Sequence, residues 1–296
     1  MRYAVKLLIT AMLLTAGGAF GFDQDRAFML LEAQCAFGPR NPNSEGHEMC
    51  LRFLERELGY WTEAVELEPF TYVSKNTGEE LHLTNIIGHI NPGARDRVIL
   101  GAHWDTRPMA DQDPNPDNRN TPIMGANDGA SGVAILLEVA RQLYMNPVDF
   151  GVDIVLFDGE DYGEESVLDD YLIGSRYHAR HLKSPLPRYG ILLDLVGDRD
   201  LRIPMEPTSQ TYAGAVLEKC FAAAERVNSK SFVRETGKPA YDDHIPFLEM
   251  QIPFVDLIDF DYTYWHTVED VSKHCSAYSL GEVGRVVMEV LRSEKF

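Results

Sequence analysis

The chain has 296 residues, 45% of them apolar, and a formal charge of −19. That length and apolar content suit one large domain with a buried core. The acidity speaks against nucleic-acid binding, which needs clustered Lys and Arg for phosphate contacts.

The opening stretch MRYAVKLLITAMLLTAGGAFGFDQDR places Arg2 and Lys6 before an apolar run from Leu7 that ends in small residues toward Gly21. This is the three-part pattern of a secretory signal peptide. The run falls short of the ~20 apolar residues a membrane span needs. Residues 1–21 are therefore expected to be a leader and 22–296 one folded domain, exported to a periplasm or secreted, with no integral span after cleavage. Cys35, Cys50, Cys220 and Cys275 would then meet an oxidising compartment. Four cysteines allow three full pairings and spacing does not choose among them. A Cys35–Cys50 bridge and buried free thiols both stay open.

AFMLLEAQC and SEGHEMCLRFLEREL have helical periodicity, with Ser44 as N-cap of the second. From WTEAVELEPFTYV through LHLTNIIGHI the pattern alternates, which predicts strands. RVILGAH is a short apolar strand, followed by a long helix over DGASGVAILLEVARQLYM. VDIVLFD (strand), YLIGSRYHARHL (helix), YGILLDLVG (strand), QTYAGAVLEKCFAAAERVN (helix), PFVDLIDF (strand) and SLGEVGRVVMEVL (helix) complete the chain. Strands alternating with helices imply an α/β fold. The expected form is a three-layer sandwich, its mixed, mostly parallel central sheet flanked by helices.

What the apolar strands run into is the informative feature. RVILGA leads to His103 and Asp105, DIVLFD to Glu160 and Asp161, ILLDLVGD carries Asp194, and PFVDLIDF precedes Trp265 and His266. Ligands of open α/β sheets bind at the carboxyl ends of the strands. One such residue is more often an ordinary strand-end turn residue; four together, with Asp128 in GANDGASG, point to a shared site. Carboxylates and imidazoles from several strands make a divalent metal site, most naturally zinc. If Asp161 binds the metal, Glu160 beside it is free to move protons. No G-x-S-x-G elbow, P-loop, dinucleotide fingerprint or H-E-x-x-H occurs.

The motifs HWD, GANDGASG, FDGED, LLDLVGD, DDHIPF and YWHT stand in the order and spacing of the M28 zinc aminopeptidase superfamily. Within it the chain most resembles the bacterial, animal-type glutaminyl cyclases, from about Asn85 to the C-terminus. The resemblance implies a zinc-dependent glutaminyl-peptide cyclotransferase, an acyltransferase that closes N-terminal Gln of peptides or proteins to pyroglutamate and releases ammonia. It implies one zinc on Asp128, Asp161 and His266. Glu160, Asp194 and Asp242 become the catalytic residues, with Asp243 a weaker candidate, and Trp265 a substrate-binding wall. The alternative is an M28 aminopeptidase hydrolysing N-terminal residues with two zinc ions, the second on His103 and Asp194, and Asp128 bridging. A binding domain without catalysis is a third reading. A monomer is expected.

Animal cyclases place a second Trp after the DGED motif, where this chain reads YGEES; Tyr162 or Tyr171 is expected to provide that wall. The Asp111–Asn120 loop is read as solvated in preference to a calcium loop, since the EF-hand order is missing. Trp104 fits a site wall or the core equally. Glu164, Glu165, Asp169 and Asp170 read as a solvated face, and His178, His181 and His274 as surface or helix histidines.

Overall fold

Alternation of apolar residues decides the layering. In the computed structural model, which describes residues 21–164 and 166–296, six strands form one sheet in the order β1-β2-β4-β3-β5-β8. They are β1 (Ala64–Val73), β2 (Glu80–Ile90), β3 (Arg97–His103), β4 (Gly151–Phe157), β5 (Tyr189–Asp194) and β8 (Phe254–Ile258). β4, β3, β5 and β8 are mutually parallel; β1 and β2 add an antiparallel hairpin at the β4 edge. The expected leader lies outside the described residues, apart from Gly21.

Successive side chains of a strand face opposite layers. Val98, Leu100 and Ala102 of β3 join the core beneath α1 (Gln24–Cys35), α2 (Glu45–Gly59), α3 (Ala130–Met145), α6 (Gly214–Arg226) and α8 (Ala277–Ser293). Ile99 faces the other way, with Val155, Leu192 and Phe254, toward α4 (Ile173–His181) and α7 (Ile245–Glu249). The central strands are apolar on both faces because both are covered by helices. The expected cap of α2 is present, Ser44 accepting the His47 backbone N–H at 3.1 Å, and α3 begins at Ala130, just past Gly129.

The sheet matches the expected mixed, mostly parallel sandwich, with differences in detail. The helix expected as one piece from Gln210 is two, α5 (Pro207–Tyr212) and α6, because Ala213 leaves helical geometry at φ −133°. β6 (Ile203–Met205) and β7 (Phe232–Thr236) pair in a small separate sheet, too short to show periodicity. All four cysteines are free thiols, and burial pushes Cys35 up to about 11 and Cys50 up to about 12. No described helix is long and apolar enough to cross a membrane.

Candidate active site

The parallel strands deliver their terminal residues to one edge of the sheet. β3 ends at His103, β4 runs through Asp158 and Gly159 into Glu160 and Asp161, and β5 ends at Asp194. Asp128 arrives on the turn before α3. That turn requires Gly129, whose φ is +94° and where a Cβ would stand 2.8 Å from the Asp105 carbonyl. One turn into the helix, a Cβ at Gly132 would meet the Leu193 carbonyl at 2.2 Å, so only glycine lets α3 close against the end of β5.

Asp128, Glu160, Asp161, Asp194, Asp242, Trp265 and His266 all border one cavity of about 320 Å³. Every primary site residue expected from sequence is therefore brought together. His103 sits just beneath, its Nε2 3.1 Å from Asp128 Oδ1 and 3.2 Å from Asp194 Oδ1. Asp243 turns away from the cavity into a fully buried position.

Among the described residues, two groups of ligand-type atoms could hold a metal: Asp128, Asp161 and His266, and His103, Asp128 and Asp194, each within 4.8 Å. His266 Nε2 lies 3.3 Å from Asp161 Oδ1 and 3.7 Å from Asp128 Oδ2. Asp128 Oδ2 and Asp161 Oδ2 are buried and have no hydrogen-bond partner among the described residues. Buried carboxylate oxygens are normally satisfied, so this pair of unpartnered oxygens beside an imidazole fits a cation. In the other group His103 Nε2 already bonds to Asp194.

The electrostatics follow from crowding acids in a dry pocket. Burial pushes the Glu160 carboxyl well above its ordinary value, and the adjacent Asp161 pushes it further. Burial does the same to Asp242, helped by Asp194 and Asp243. For His266 burial opposes the charged ring, but Asp161 and Asp111 outweigh it and hold the group at about 9. His103 likewise overcomes its burial through Asp105, Asp128 and Asp194 and is held well above the usual imidazole range.

Two further acids fix this geometry: Asp105, which stood among the strand-end residues in sequence, and Asp270, which did not. Asp105 accepts the backbone N–H groups of Glu160 (3.1 Å) and Asp161 (3.3 Å), setting the bend after β4. Asp270 accepts from Asn127 N, Asp128 N and the Tyr262 hydroxyl, and so fixes the Asp128 turn. The signal of Asp270 in sequence was only an acid near a motif.

The apolar walls are Trp265, Phe260, Ile258 and Tyr171. Trp265 stacks on His266 at a centroid distance of 3.7 Å and meets Phe260 edge-on at 5.2 Å. Of the two tyrosine candidates, Tyr171 lines the cavity, whereas Tyr162 bonds to Glu79 outside it. Trp104 is core: it is wholly buried, stacks on His47 and donates Nε1–H to the Thr84 carbonyl.

Two sequence readings are corrected. Asp170 does not belong to a solvated face; it is buried and accepts from the Tyr72 and Ser74 hydroxyls and from Lys75 N and Asn76 N, pinning the β1–β2 turn beside Tyr171. The Asp111–Asn120 loop is not merely solvated either. Asp113 is buried and accepts from Asn115 N and Val268 N, while Asp111 faces Arg107 and His266, so these acids do not converge on a calcium.

Residues 85–291 match peptidase family M28. A solved glutaminyl cyclase of Bacteroides thetaiotaomicron bound to N-acetylhistamine superposes with a TM-score of 0.90 at 36% identity, covering 93% of this chain and 99% of that one. A structure described as a leucine aminopeptidase precursor from the same organism superposes with a TM-score of 0.91 at 35% identity, covering 94% and 99%. The glutaminyl-peptide cyclotransferase of Drosophila melanogaster is 27% identical over 259 residues, 78% of this chain and 70% of that protein.

Proposed function

Because the chain belongs to peptidase family M28, we propose that its cavity cyclises the N-terminal glutamine of peptides and proteins to pyroglutamate with release of ammonia. The observation that carries this reading is a small aromatic-walled cavity in which Glu160, Asp194 and Asp242 surround the metal-ligand group. A cavity of this size holds one folded side chain, so the substrate's own amine is brought to its own amide.

Asp128, Asp161 and His266 are the residues proposed to hold one zinc ion. What zinc supplies there when bound is Lewis-acid polarisation of the γ-amide carbonyl. Glu160 removes a proton from the neutral α-amine as its nitrogen bonds to the γ-carbon. The carbon–nitrogen bond of the amide then breaks, and Glu160 returns the proton to the departing nitrogen, which leaves as ammonia. Its raised affinity for protons suits a group that must both take and give one near neutrality. Asp242, whose proton affinity is raised by burial and by Asp194, donates toward the amide, and Asp194 accepts from the amide nitrogen. Trp265, Phe260 and Tyr171 exclude water, so the amine attacks in its place.

A second reading, dizinc aminopeptidase, is favoured by one observation: His103, Asp128 and Asp194 also converge. Incubation with Gln-, Ala- and Leu-peptides separates the two. The cyclase gives ammonia and a blocked peptide from Gln-peptides alone; free amino acids without ammonia would reject it. Metal analysis gives about one zinc per chain for the cyclase and two for the aminopeptidase.

The protein is further read as an exported monomer cleaved after residue 21. N-terminal sequencing that does not begin at Phe22, or a solution mass twice the chain's, would contradict this.

A further inference from the structure

The segment from Arg107 to Asp113 sits behind the metal-ligand group and has no part in the chemistry above. Arg107 is a fully buried cation. Its Nη1 donates to Asp161 Oδ1 at 2.9 Å and to the Asp161 carbonyl at 3.2 Å. Its Nε donates to Asp111 Oδ1 at 2.6 Å. The same Asp111 oxygen lies 3.3 Å from His266 Nδ1, a buried ring nitrogen that completes no hydrogen bond with the described residues and has this carboxylate as its charged neighbour. One guanidinium and one carboxylate therefore link two of the three proposed ligands on the side away from the cavity.

The backbone of the segment grips the His266 turn as well. Gln112 N–H donates to the His266 carbonyl at 3.2 Å, and Asp113 Oδ2 accepts from Val268 N at 3.1 Å. His266 has φ +54°, the left-handed region that costs a non-glycine residue about 1–2 kcal/mol. Such a conformation persists only where surrounding contacts over-determine it, and these contacts do so.

We propose that Asp111 is the positioning residue for His266 and that Arg107 couples it to Asp161, residues 107–113 forming a brace that presets the metal site. A metal-ligating imidazole ordinarily gives its second ring N–H to a carboxylate or carbonyl, which fixes tautomer and ring orientation. Asp111 is the group placed to accept it. This rests on the metal-site reading above and adds to it two residues that never touch the metal or the substrate.

The test is zinc affinity, measured on the full-length chain by competition with a chelator, alongside the visible spectrum of the cobalt-substituted protein. Asp111→Ala should bind zinc about 10–100-fold more weakly and shift the cobalt bands. Asp111→Asn, which keeps an acceptor oxygen, should fall between it and the parent. Asp117→Asn removes an equal charge from the same loop without contact to His266 and should leave zinc binding and spectrum unchanged. Zinc-free melting curves show whether each variant is folded; should Asp111→Ala fail to fold, Asp111→Asn decides. A folded variant with the parent's zinc affinity and cobalt spectrum overturns the brace alone. A parent chain that takes up no zinc overturns the metal site and the brace together.

Discussion

Glu160→Gln isolates the proton-transfer step because the structure separates that residue's backbone from its side chain. Its N–H is held by Asp105 Oδ1 at 3.1 Å, and its carbonyl accepts from Leu172 N at 3.0 Å. Its carboxylate takes no hydrogen bond from the described residues, and Gln matches its shape. By replacing a carboxyl whose charged form burial and Asp161 disfavour, the substitution should leave the melting temperature unchanged or raise it. A positioned general base contributes roughly 10²–10⁴ in rate, or about 2.7–5.5 kcal/mol of barrier. Since the proton moves only in the transition state, kcat and kcat/KM should fall together with KM nearly constant. The assay is ammonia release from a Gln-peptide, with bound zinc measured on the same sample. A variant that keeps its metal and more than about a tenth of the parent's turnover would refute the shuttle.

Three further outcomes follow from the same geometry. Trp104→Ala empties a wholly buried site and should cost about 3–5 kcal/mol, seen as a fall in melting temperature of about 6–10 °C; a fall under about 2 °C would show that the indole does not support the core. Tyr171→Ala opens a cavity wall and should raise KM for Gln-peptides about tenfold or more, the equivalent of an apolar contact of about 1.5–3 kcal/mol, whereas Tyr171→Phe, which loses only the bond from Arg107 Nη2, should stay near the parent; equal KM in all three would remove Tyr171 from the site. Asp259 is pushed up to about 6 by burial, against the backbone N–H groups of Arg202 and Asp261. The folded state thus binds the proton more tightly than the unfolded chain, whose value is about 4. The associated stability is full below about pH 4 and is lost as pH rises through about 6. Asp259→Asn removes that dependence, so urea unfolding should show the variant gaining on the parent by up to about 2.7 kcal/mol between those limits and holding the gain above them; a difference that does not vary with pH would contradict the assignment.

The parts visible in sequence were those where a regular pattern ends abruptly. β3, β4 and β5 are short, largely apolar runs, so the His and acids at their ends stood out, and a parallel sheet gathers strand ends without further information. Residues acting across the fold gave no such signal. Arg107 and Asp111 looked like ordinary loop charges, because their partners Asp161 and His266 lie far along the chain and meet them only through folding. Asp170 read as one more acid in an acidic stretch; its burial depends on the β1–β2 turn folding over it. The choice between Tyr162 and Tyr171 needed the turn after Asp161, which points one ring outward and the other into the cavity. The helix break falls at Ala213, a residue type that favours helices, so the residue itself gave no sign of it.

The central claim is that a substrate amine, and not water, attacks inside this cavity. Turnover of a Gln-peptide in heavy-oxygen water, followed by mass spectrometry of the product, tests it directly. The product should be lighter by one ammonia with no label incorporated. Label in a carboxyl group, whether from a deamidated side chain or a cleaved peptide bond, would show that water is the nucleophile and contradict it.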